Sequence, residues 1–145
     1  VLDAQFKDAV AKGARVLLDG GRVEGPGSFY RPIVLADTNH SMSVMRDESF
    51  GPIIGIQSVA HDDEALGLMQ DTAYGLTASV FTEDEERAER MLSQINSGTV
   101  YWNCSDRVSP QLPWSGRGHS GIGLTCSVAG IETFVQPKAW HRRRL

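Results

Sequence analysis

The sequence predicts an α/β fold with a parallel sheet, and the middle of the chain carries the observations behind this prediction. Apolar runs of strand length occur at 53–59, 78–81 and 99–103. The segments between them have apolar residues at helical spacing, and each begins with a residue that can cap a helix. Strands that alternate with helices over short joints form βαβ units, whose strands are parallel. The expected core is therefore βαβαβ, with right-handed crossovers.

A helix is expected at the N-terminus, and Gly13 is a suitable end for it. Its apolar residues recur at helical spacing and are Leu2, Phe6, Ala9 and Val10. A short strand is expected at 15–18 and a loop at 24–28, where Gly-Pro-Gly occurs. A second strand is expected at 29–35, and Pro32 should place it at a sheet edge.

The two core helices have recognisable start signals. Asp62 is the expected cap of the first, and Thr82 with Glu85 forms a capping box for the second. The expected inward residues of the first helix are Ala65, Leu66, Met69 and Ala73. Those of the second are Ala88, Met91, Leu92 and Ile95.

A long loop at 103–123 follows the last core strand and is rich in Gly, Ser and Pro. Loops above about 12–15 residues are usually functional or disordered, and the large ring of Trp114 favours function. A short helix is expected at 128–132 and a final strand at 133–135. The expected domain organisation is 1–132 for the main domain and 133–145 for an edge strand with a basic tail.

Composition and charge exclude several classes of partner. The 145 residues, 41% hydrophobic and 22% charged, suffice for one domain with a sizeable core. A net charge of −4 argues against nucleic acid, and no apolar run approaches the ~20 residues of a membrane span. The missing signal-peptide pattern and the low cysteine count favour a cytoplasmic location. The scattered histidines predict no metal site.

The segment Asp47-Glu48-Ser49-Phe50-Gly51-Pro52, directly before an apolar strand, is the most informative motif. Its carboxylate can accept hydrogen bonds from two sugar hydroxyls, and its ring offers a flat wall to a planar heterocycle. Taken alone, these residues are more often explained by a solvated Glu and a core Phe than by a cofactor site.

Further short segments surround this motif in a consistent order. They are Lys12-Gly13-Ala14, Gly20-Gly21 and Phe29-Tyr30-Arg31-Pro32 before it, and Tyr74-Gly75-Leu76, 98–103, Pro113-Trp114-Ser115-Gly116 and Ser120-Gly121-Ile122-Gly123 after it. Together with Glu48-x-Phe50-Gly51-Pro52, they resemble the C-terminal part of the catalytic domain of the NAD(P)-dependent aldehyde dehydrogenases. The resemblance covers nearly the whole chain.

This resemblance implies a fold and a reaction. The fold is the parallel βαβαβ core of the aldehyde dehydrogenase catalytic domain, with a C-terminal oligomerisation strand. In the reaction, a cysteine thiolate attacks the aldehyde, hydride passes to the nicotinamide, and water activated by a general base releases the carboxylic acid. In the family, the nucleophilic Cys and the base Glu lie upstream of this segment. The resemblance therefore implies no catalytic residue in this chain.

The helical pattern already under way at Leu2, with no Met or cap before it, predicts that further sequence precedes Val1. We expect the chain to work with the remainder of a longer enzyme, on a small aldehyde and as a homo-oligomer. The 145 residues alone are expected to be inactive. The alternative is a stand-alone, non-catalytic interaction module that retains part of the fold.

The resemblance also assigns cofactor contacts. Glu48 is similar to the residue that holds the nicotinamide-ribose hydroxyls, Phe50 to the ring beside the nicotinamide, and Leu76 to an apolar contact near the same ring. A core position is an equal alternative for Leu76. The cofactor is NAD or NADP, and only its nicotinamide-ribose end is expected to contact this chain.

Substrate contacts are expected on the loop after Asn103. Ser105, Val108 and Trp114 are similar to residues in the family's aldehyde-tunnel wall. Because a Trp ring can also face a cation, an aminoaldehyde or a betaine-aldehyde-like substrate is one possibility. The chain departs from the family pattern at two positions, with Gly118 where a Lys is usual and Leu124 where an Arg is common.

The cysteines offer another, weaker candidate for the nucleophile. Cys126 lies near an expected helix start, which can lower a thiol pKa, but it does not match the position of the family's nucleophile. Cys104 follows a strand at a position where family members often carry a non-nucleophilic Cys. A structural role is therefore expected for both.

Overall fold

The chain divides into two units, Val1–Ala73 and Tyr74–Leu145, and each contains a pair of parallel strands. The computed structural model describes residues 1–105 and 107–144. Helices and parallel strand pairs in both units confirm the predicted α/β class.

The first unit carries its strands between an N-terminal and a C-terminal helix. Its elements are α1 (Leu2–Ala11), β1 (Arg15–Leu18), β2 (Gly21–Arg22), β3 (Tyr30–Arg31), β4 (Ile33–Ala36), α2 (Ser43–Arg46), β5 (Ile53–Gly55) and α3 (Asp62–Gln70). Strand β4 is the central strand, antiparallel to β1 and parallel to β5, while β2 pairs antiparallel with β3. The crossover from β4 to β5 passes through α2 and brings the Glu48 segment to the start of β5.

The core of the first unit forms where α1 covers the sheet. Its buried apolar residues are Ala9, Ala14, Ile33, Leu35 and Met42. Helix α1 has the expected position, and Gly13 ends it with a φ of 97°, a left-handed value that favours glycine.

Two strand predictions in this unit need correction. The expected strand at 29–35 is divided at Pro32 into β3 and β4, and β4 lies at the centre of its sheet, so the prediction of an edge strand is wrong. The physical reason is that Pro32 precedes β4, so the first ladder donor is the N–H of Ile33, which bonds the Pro52 carbonyl at 2.9 Å. The strand expected at 53–59 ends at Gly55.

Helix α3 begins with a different cap from the one predicted. His61 is its N-cap, and the His61 Nδ1 accepts a hydrogen bond from the Glu64 N–H at 3.2 Å. Asp62 is the first helical residue instead. Leu66 is buried as expected, whereas Met69 and Ala73 are exposed, so their prediction as inward residues is wrong.

The second unit is a βαβ unit followed by an irregular chain and a short helix. Its elements are β6 (Thr77–Val80), α4 (Glu85–Leu92), β7 (Thr99–Trp102) and α5 (Ser127–Glu132). Strands β6 and β7 are parallel, with Thr77 opposite Thr99. This is the predicted second βαβ unit. The predicted first βαβ unit is not seen as a strand pair, because β5 pairs with β4 whereas β6 pairs with β7.

Helix α4 packs its predicted face inward but has another cap. Ala88, Met91 and Ile95 are buried, as expected from the helical spacing. Asp84 is the N-cap, and its Oδ1 accepts from the Arg87 N–H at 3.0 Å. The Thr82 hydroxyl accepts from the Asp84 N–H instead, so the predicted capping box is wrong.

The C-terminal segment departs from the prediction after α5, which begins one residue earlier than expected. Residues 133–135, expected as a strand, form a turn in which the Phe134 N–H bonds the Ile131 carbonyl at 3.0 Å. Pairing of 133–145 across a subunit boundary stays a prediction. Among the described helices, none has the length and apolar character needed to cross a membrane.

Candidate functional site

Glu48 lies in the irregular stretch between α2 and β5 of the first unit. Its backbone carbonyl accepts a hydrogen bond from the Gln5 Nε2 at 3.2 Å. Its side chain is exposed, and within the described residues no hydrogen bond or ion pair engages the carboxylate. Both carboxylate oxygens are therefore free to accept hydrogen bonds from a bound molecule.

Phe50 is almost fully exposed, at 95%. The alternative that it belongs to the core is therefore wrong. Its ring borders a cleft of about 400 Å³ that Phe29 and Tyr30 also line, together with the charged residues Asp3 and Arg22. An exposed ring beside a cleft can provide a wall for a planar ligand.

Tyr30, which lines this cleft, has a phenol with a raised pKa. Partial burial raises the pKa of Tyr30, and its hydrogen bond to the Asp3 Oδ1 at 2.9 Å acts in the same direction. The phenol therefore stays neutral at physiological pH and holds the wall of the cleft to α1.

The chain turns sharply between Phe50 and β5. The Ile53 N–H bonds the Gly51 carbonyl at 2.8 Å, and Pro52 has no N–H to offer. A Cβ on Gly51 would overlap the side chain of Leu2 on α1. The Gly-Pro pair thus allows a tight turn against the helix at the start of β5.

Leu76 lies directly before β6 in the second unit and is 40% exposed, so it is not part of the buried core. Its neighbour Gly75 fixes the backbone. The Gly75 carbonyl accepts from the Gly98 and Arg117 N–H groups, both at 3.0 Å, and the Gly75 N–H donates to the Ser120 hydroxyl at 3.0 Å. A Cβ on Gly75 would lie 2.7 Å from the Asn96 carbonyl oxygen, which only glycine avoids.

The loop expected to line a tunnel folds back on itself. Trp114 and Thr125 exchange two backbone hydrogen bonds, at 2.8 and 3.0 Å, and Gly118 forms a bridge with Tyr74. Trp114 is half-buried. The structure therefore brings the second half of this loop to the segment that carries Leu76.

Ser105 and Val108 lie in the first half of the same loop, and both are exposed. The Tyr101 hydroxyl donates to the Arg107 carbonyl at 3.1 Å and holds this half against β7. The described contacts do not connect Ser105 or Val108 with Trp114.

Asn103 has a structural role that the motifs of the sequence do not reveal. Its Oδ1 accepts from the Thr82 N–H, and its Nδ2 donates to the Thr82 carbonyl, each at 2.9 Å. Its φ of 52° lies in the left-handed region. The available signal was the Asn itself at the end of a predicted strand, because Asn adopts this conformation more readily than most residues.

The two cysteines are free thiols in different settings. Cys104 is exposed two residues after β7, whereas Cys126 is half-buried and is the N-cap of α5, with a φ of 60°. Over the described part of the chain, no group of three or more His, Cys, Asp or Glu side chains could hold a metal ion.

A sequence profile of the aldehyde dehydrogenase family matches residues 2–140. The chain belongs to this family. The resemblance that the motifs predicted is therefore confirmed over nearly the whole chain.

Relatives of this chain include aldehyde dehydrogenases that are named for different aldehydes. Betaine aldehyde dehydrogenase of Beta vulgaris chloroplasts is 39% identical over 90% of this chain and 26% of its own length. The NADP(+) succinate-semialdehyde dehydrogenase of Deinococcus radiodurans is 37% identical over 94% of this chain and 29% of its own length. A peroxisomal aminoaldehyde dehydrogenase of Malus domestica is 38% identical over 90% and 26%, respectively. The chain thus spans only 26% to 29% of the length of these relatives.

Solved structures of the family have the same fold. A lactaldehyde dehydrogenase superposes with a TM-score of 0.88 at 31% identity, over 93% of this chain and 28% of the other. Betaine aldehyde dehydrogenase of Staphylococcus aureus in complex with NAD+ superposes with a TM-score of 0.83 at 30% identity, over 92% and 27%.

Proposed function

We propose that this chain is the C-terminal part of an NAD(P)+-dependent aldehyde dehydrogenase that oxidises an aldehyde to a carboxylic acid. The nucleophilic Cys and the base Glu would come from the remainder of the longer chain. The observation that carries the proposal is the Glu48 carboxylate, which is exposed and has no partner among the described residues, in the motif of this family.

The Glu48 segment fits the ribose end of a nicotinamide cofactor. A free carboxylate accepts hydrogen bonds from two vicinal hydroxyls, as an acidic residue does for ribose in other dinucleotide sites. Phe50 would provide a flat apolar wall beside the heterocycle, and Leu76 an apolar contact. The cofactor supplies the hydride acceptor, while these residues bind it and orient its ring. Because no part of the adenosine end is assigned to this chain, the proposal covers NAD and NADP alike.

Ser105, Val108 and Trp114 would line the path of the aldehyde. Within this proposal, a substrate with a cationic amine is favoured, since the half-buried Trp114 ring can face a cation. Relatives named for betaine aldehyde and for aminoaldehydes support the same class.

A steady-state assay on the full-length protein tests the proposal. Reduction of NAD+ and NADP+ is followed with betaine aldehyde, an ω-aminoaldehyde, succinate semialdehyde and a neutral aliphatic aldehyde. We expect activity, with the highest kcat/KM for a cationic aldehyde. Reduction of neither cofactor by any aldehyde would refute the proposed reaction.

Glu48→Gln tests the assigned carboxylate within the same assay. The amide accepts with one oxygen only, so KM for the cofactor should rise about ten-fold, the loss expected for a charged hydrogen bond. Glu24→Gln is the matched control, because Glu24 is an exposed carboxylate in another loop of the same unit. An equal effect of both variants would contradict the assignment.

A non-catalytic interaction module is the second candidate function. The apolar residues Phe134 and Trp140 are 87% and 78% exposed, and a large exposed apolar surface is typical of association sites. The mass of the natural protein under denaturing conditions separates the two functions. A mass near 15.8 kDa favours the module, and a mass several times larger favours the dehydrogenase.

A further inference from the structure

We propose that one face of α1 and of its C-cap residue Lys12 positions the Glu48 segment, and that Gln5, Asp8 and Lys12 are positioning residues of the cofactor site. These three residues are called the α1 stripe. Its functional meaning rests on the proposed role of Glu48, whereas its structural part does not.

The α1 stripe contacts residues 41–48 in reverse order along the chain. The Lys12 Nζ donates to the Ser41 carbonyl, the Asp8 Oδ2 accepts from the Ser43 N–H at 2.8 Å, and the Gln5 Nε2 donates to the Glu48 carbonyl at 3.2 Å. Residues three and four apart lie above one another on a helix. A single helix face therefore holds the segment from before α2 to the proposed ribose ligand.

Asp8 replaces the missing cap of α2. Because the N-cap residue Met42 has no side-chain acceptor, the first N–H groups of this four-residue helix have no side-chain partner at the N-cap. The Asp8 carboxylate accepts from the first of them, at Ser43, and also forms an ion pair with Lys12 at 2.7 Å. The start of α2 is thus fixed from α1.

Gln5 is unusual because it is a polar residue with only 4% of its surface exposed. Its Oε1 is buried with no partner in the described structure, an arrangement that is unfavourable by itself. Among the described residues, the side chain of Gln5 forms one hydrogen bond, which its Nε2 donates to the Glu48 carbonyl. An apolar residue would be less unfavourable at this buried position. The hydrogen bond to the Glu48 carbonyl therefore explains why an amide side chain is present here.

Residues 47–52 have no helix or strand of their own to orient them. A carboxylate that must meet two hydroxyls at once needs a fixed backbone, because small displacements weaken both hydrogen bonds. The hydrogen bond from Gln5 restrains the backbone at Glu48, the residue that carries this carboxylate.

The test is made in the full-length protein with Gln5→Met, which keeps the side-chain volume and removes the donor. Amide hydrogen exchange of 41–52 reports the positioning, and KM values for NAD+ and for the aldehyde report the site. We expect faster exchange in this segment and a rise of about three- to ten-fold in KM for NAD+, the equivalent of one hydrogen bond. KM for the aldehyde should stay unchanged, since the proposed tunnel residues lie on another segment.

Two further variants complete the design. Asp8→Ala removes the second contact at a partly exposed position and should have the same two effects, even if Gln5→Met lowers the yield of folded protein. Gln70→Met is the matched control, because the Gln70 Nε2 also donates to a backbone carbonyl, that of Leu66 at 3.3 Å, within α3. Gln70→Met should change neither the amide exchange of residues 41–52 nor KM for NAD+.

Unchanged exchange at 41–52 in both stripe variants would overturn the proposal, and so would faster exchange with unchanged KM for NAD+. Failure of the proposed function has a different signature. In that case the unmodified protein reduces no cofactor, while the exchange measurement still decides whether the α1 stripe holds the segment.

Discussion

The side chain of Asn103 forms two hydrogen bonds with the backbone of Thr82, accepting from its N–H and donating to its carbonyl at 2.9 Å each. This pair joins the ends of the parallel strands β6 and β7. It also sets the direction in which the chain leaves β7 toward Ser105.

Asn103→Gly should therefore weaken the second unit while it retains the left-handed backbone, whose φ is 52° in the native chain. The loss of two hydrogen bonds is expected to lower the free energy of unfolding by about 1–3 kcal/mol. Urea unfolding measures it. Asn103→Ala should be worse by about 1 kcal/mol, because alanine adds strain at a positive φ. If the alanine variant were as stable as the glycine variant, the backbone part of this account would be wrong.

Gly98 offers a prediction about the contact between the start of β7 and the loop. A Cβ at this position would overlap the Ser115 carbonyl oxygen, which is backbone and cannot rotate away. Gly98→Ala should lower stability by about 2–4 kcal/mol, in the range of overpacked sites. Gly67→Ala is the control, because a Cβ there meets nothing within 4 Å on helix α3. It should stabilise by about 0.5–1 kcal/mol.

Local signals predicted many elements, and long-range contacts decided the others. Helix α1 and the inward face of α4 follow from spacing alone, because apolar periodicity is a property of neighbouring residues. The central position of β4 does not, since it depends on the hydrogen bond between Ile33 and Pro52. Likewise, His61 and Asp84 replaced the predicted caps because several suitable side chains lie within two residues of each helix start.

The same distinction between local signals and long-range contacts applies to the residues of the candidate site. Glu48 and Phe50 could be selected from a short motif, and their exposure agrees with a binding role. Gly75 and Gln5 could not be assigned their structural roles in this way. Their partners, Ser120 and the Glu48 carbonyl, lie more than forty positions away along the chain, at separations of 45 and 43.

Trp114→Leu tests the cationic substrate class. A ring that faces a desolvated ammonium group contributes about 0.5–2 kcal/mol, so KM for a cationic aldehyde should rise about two- to thirty-fold. A neutral aldehyde of equal length should lose less, because it loses only packing. Trp140→Leu serves as the control, since that exposed ring lies outside the proposed tunnel and already faces the Arg142 guanidinium at 4.6 Å. Equal losses for the two aldehydes would contradict recognition of the charge.

The ion pair on α1 gives the chain an acid-sensitive contact. The hydrogen bond from Lys12 lowers the pKa of Asp8 below its usual value of 3.8, and the Ser43 N–H contributes in the same direction. Because the folded-state pKa lies below the unfolded one, the carboxylate stabilises the fold above the unfolded pKa. That contribution is lost as the pH falls through the folded-state pKa.

Asp8→Ala should therefore lower the urea midpoint at neutral pH, and the difference from the native protein should shrink below about pH 4, the unfolded pKa of an Asp. Asp19→Ala is the control, as Asp19 is exposed and forms no hydrogen bond or ion pair among those described. Its effect should be small at every pH. If the urea midpoint of the Asp8 variant differed from that of the native protein by the same amount at neutral pH and below about pH 4, the charge of Asp8 would have no part in stability. The α1 stripe would then hold α2 by shape alone, and Asn at position 8 would serve as well as Asp.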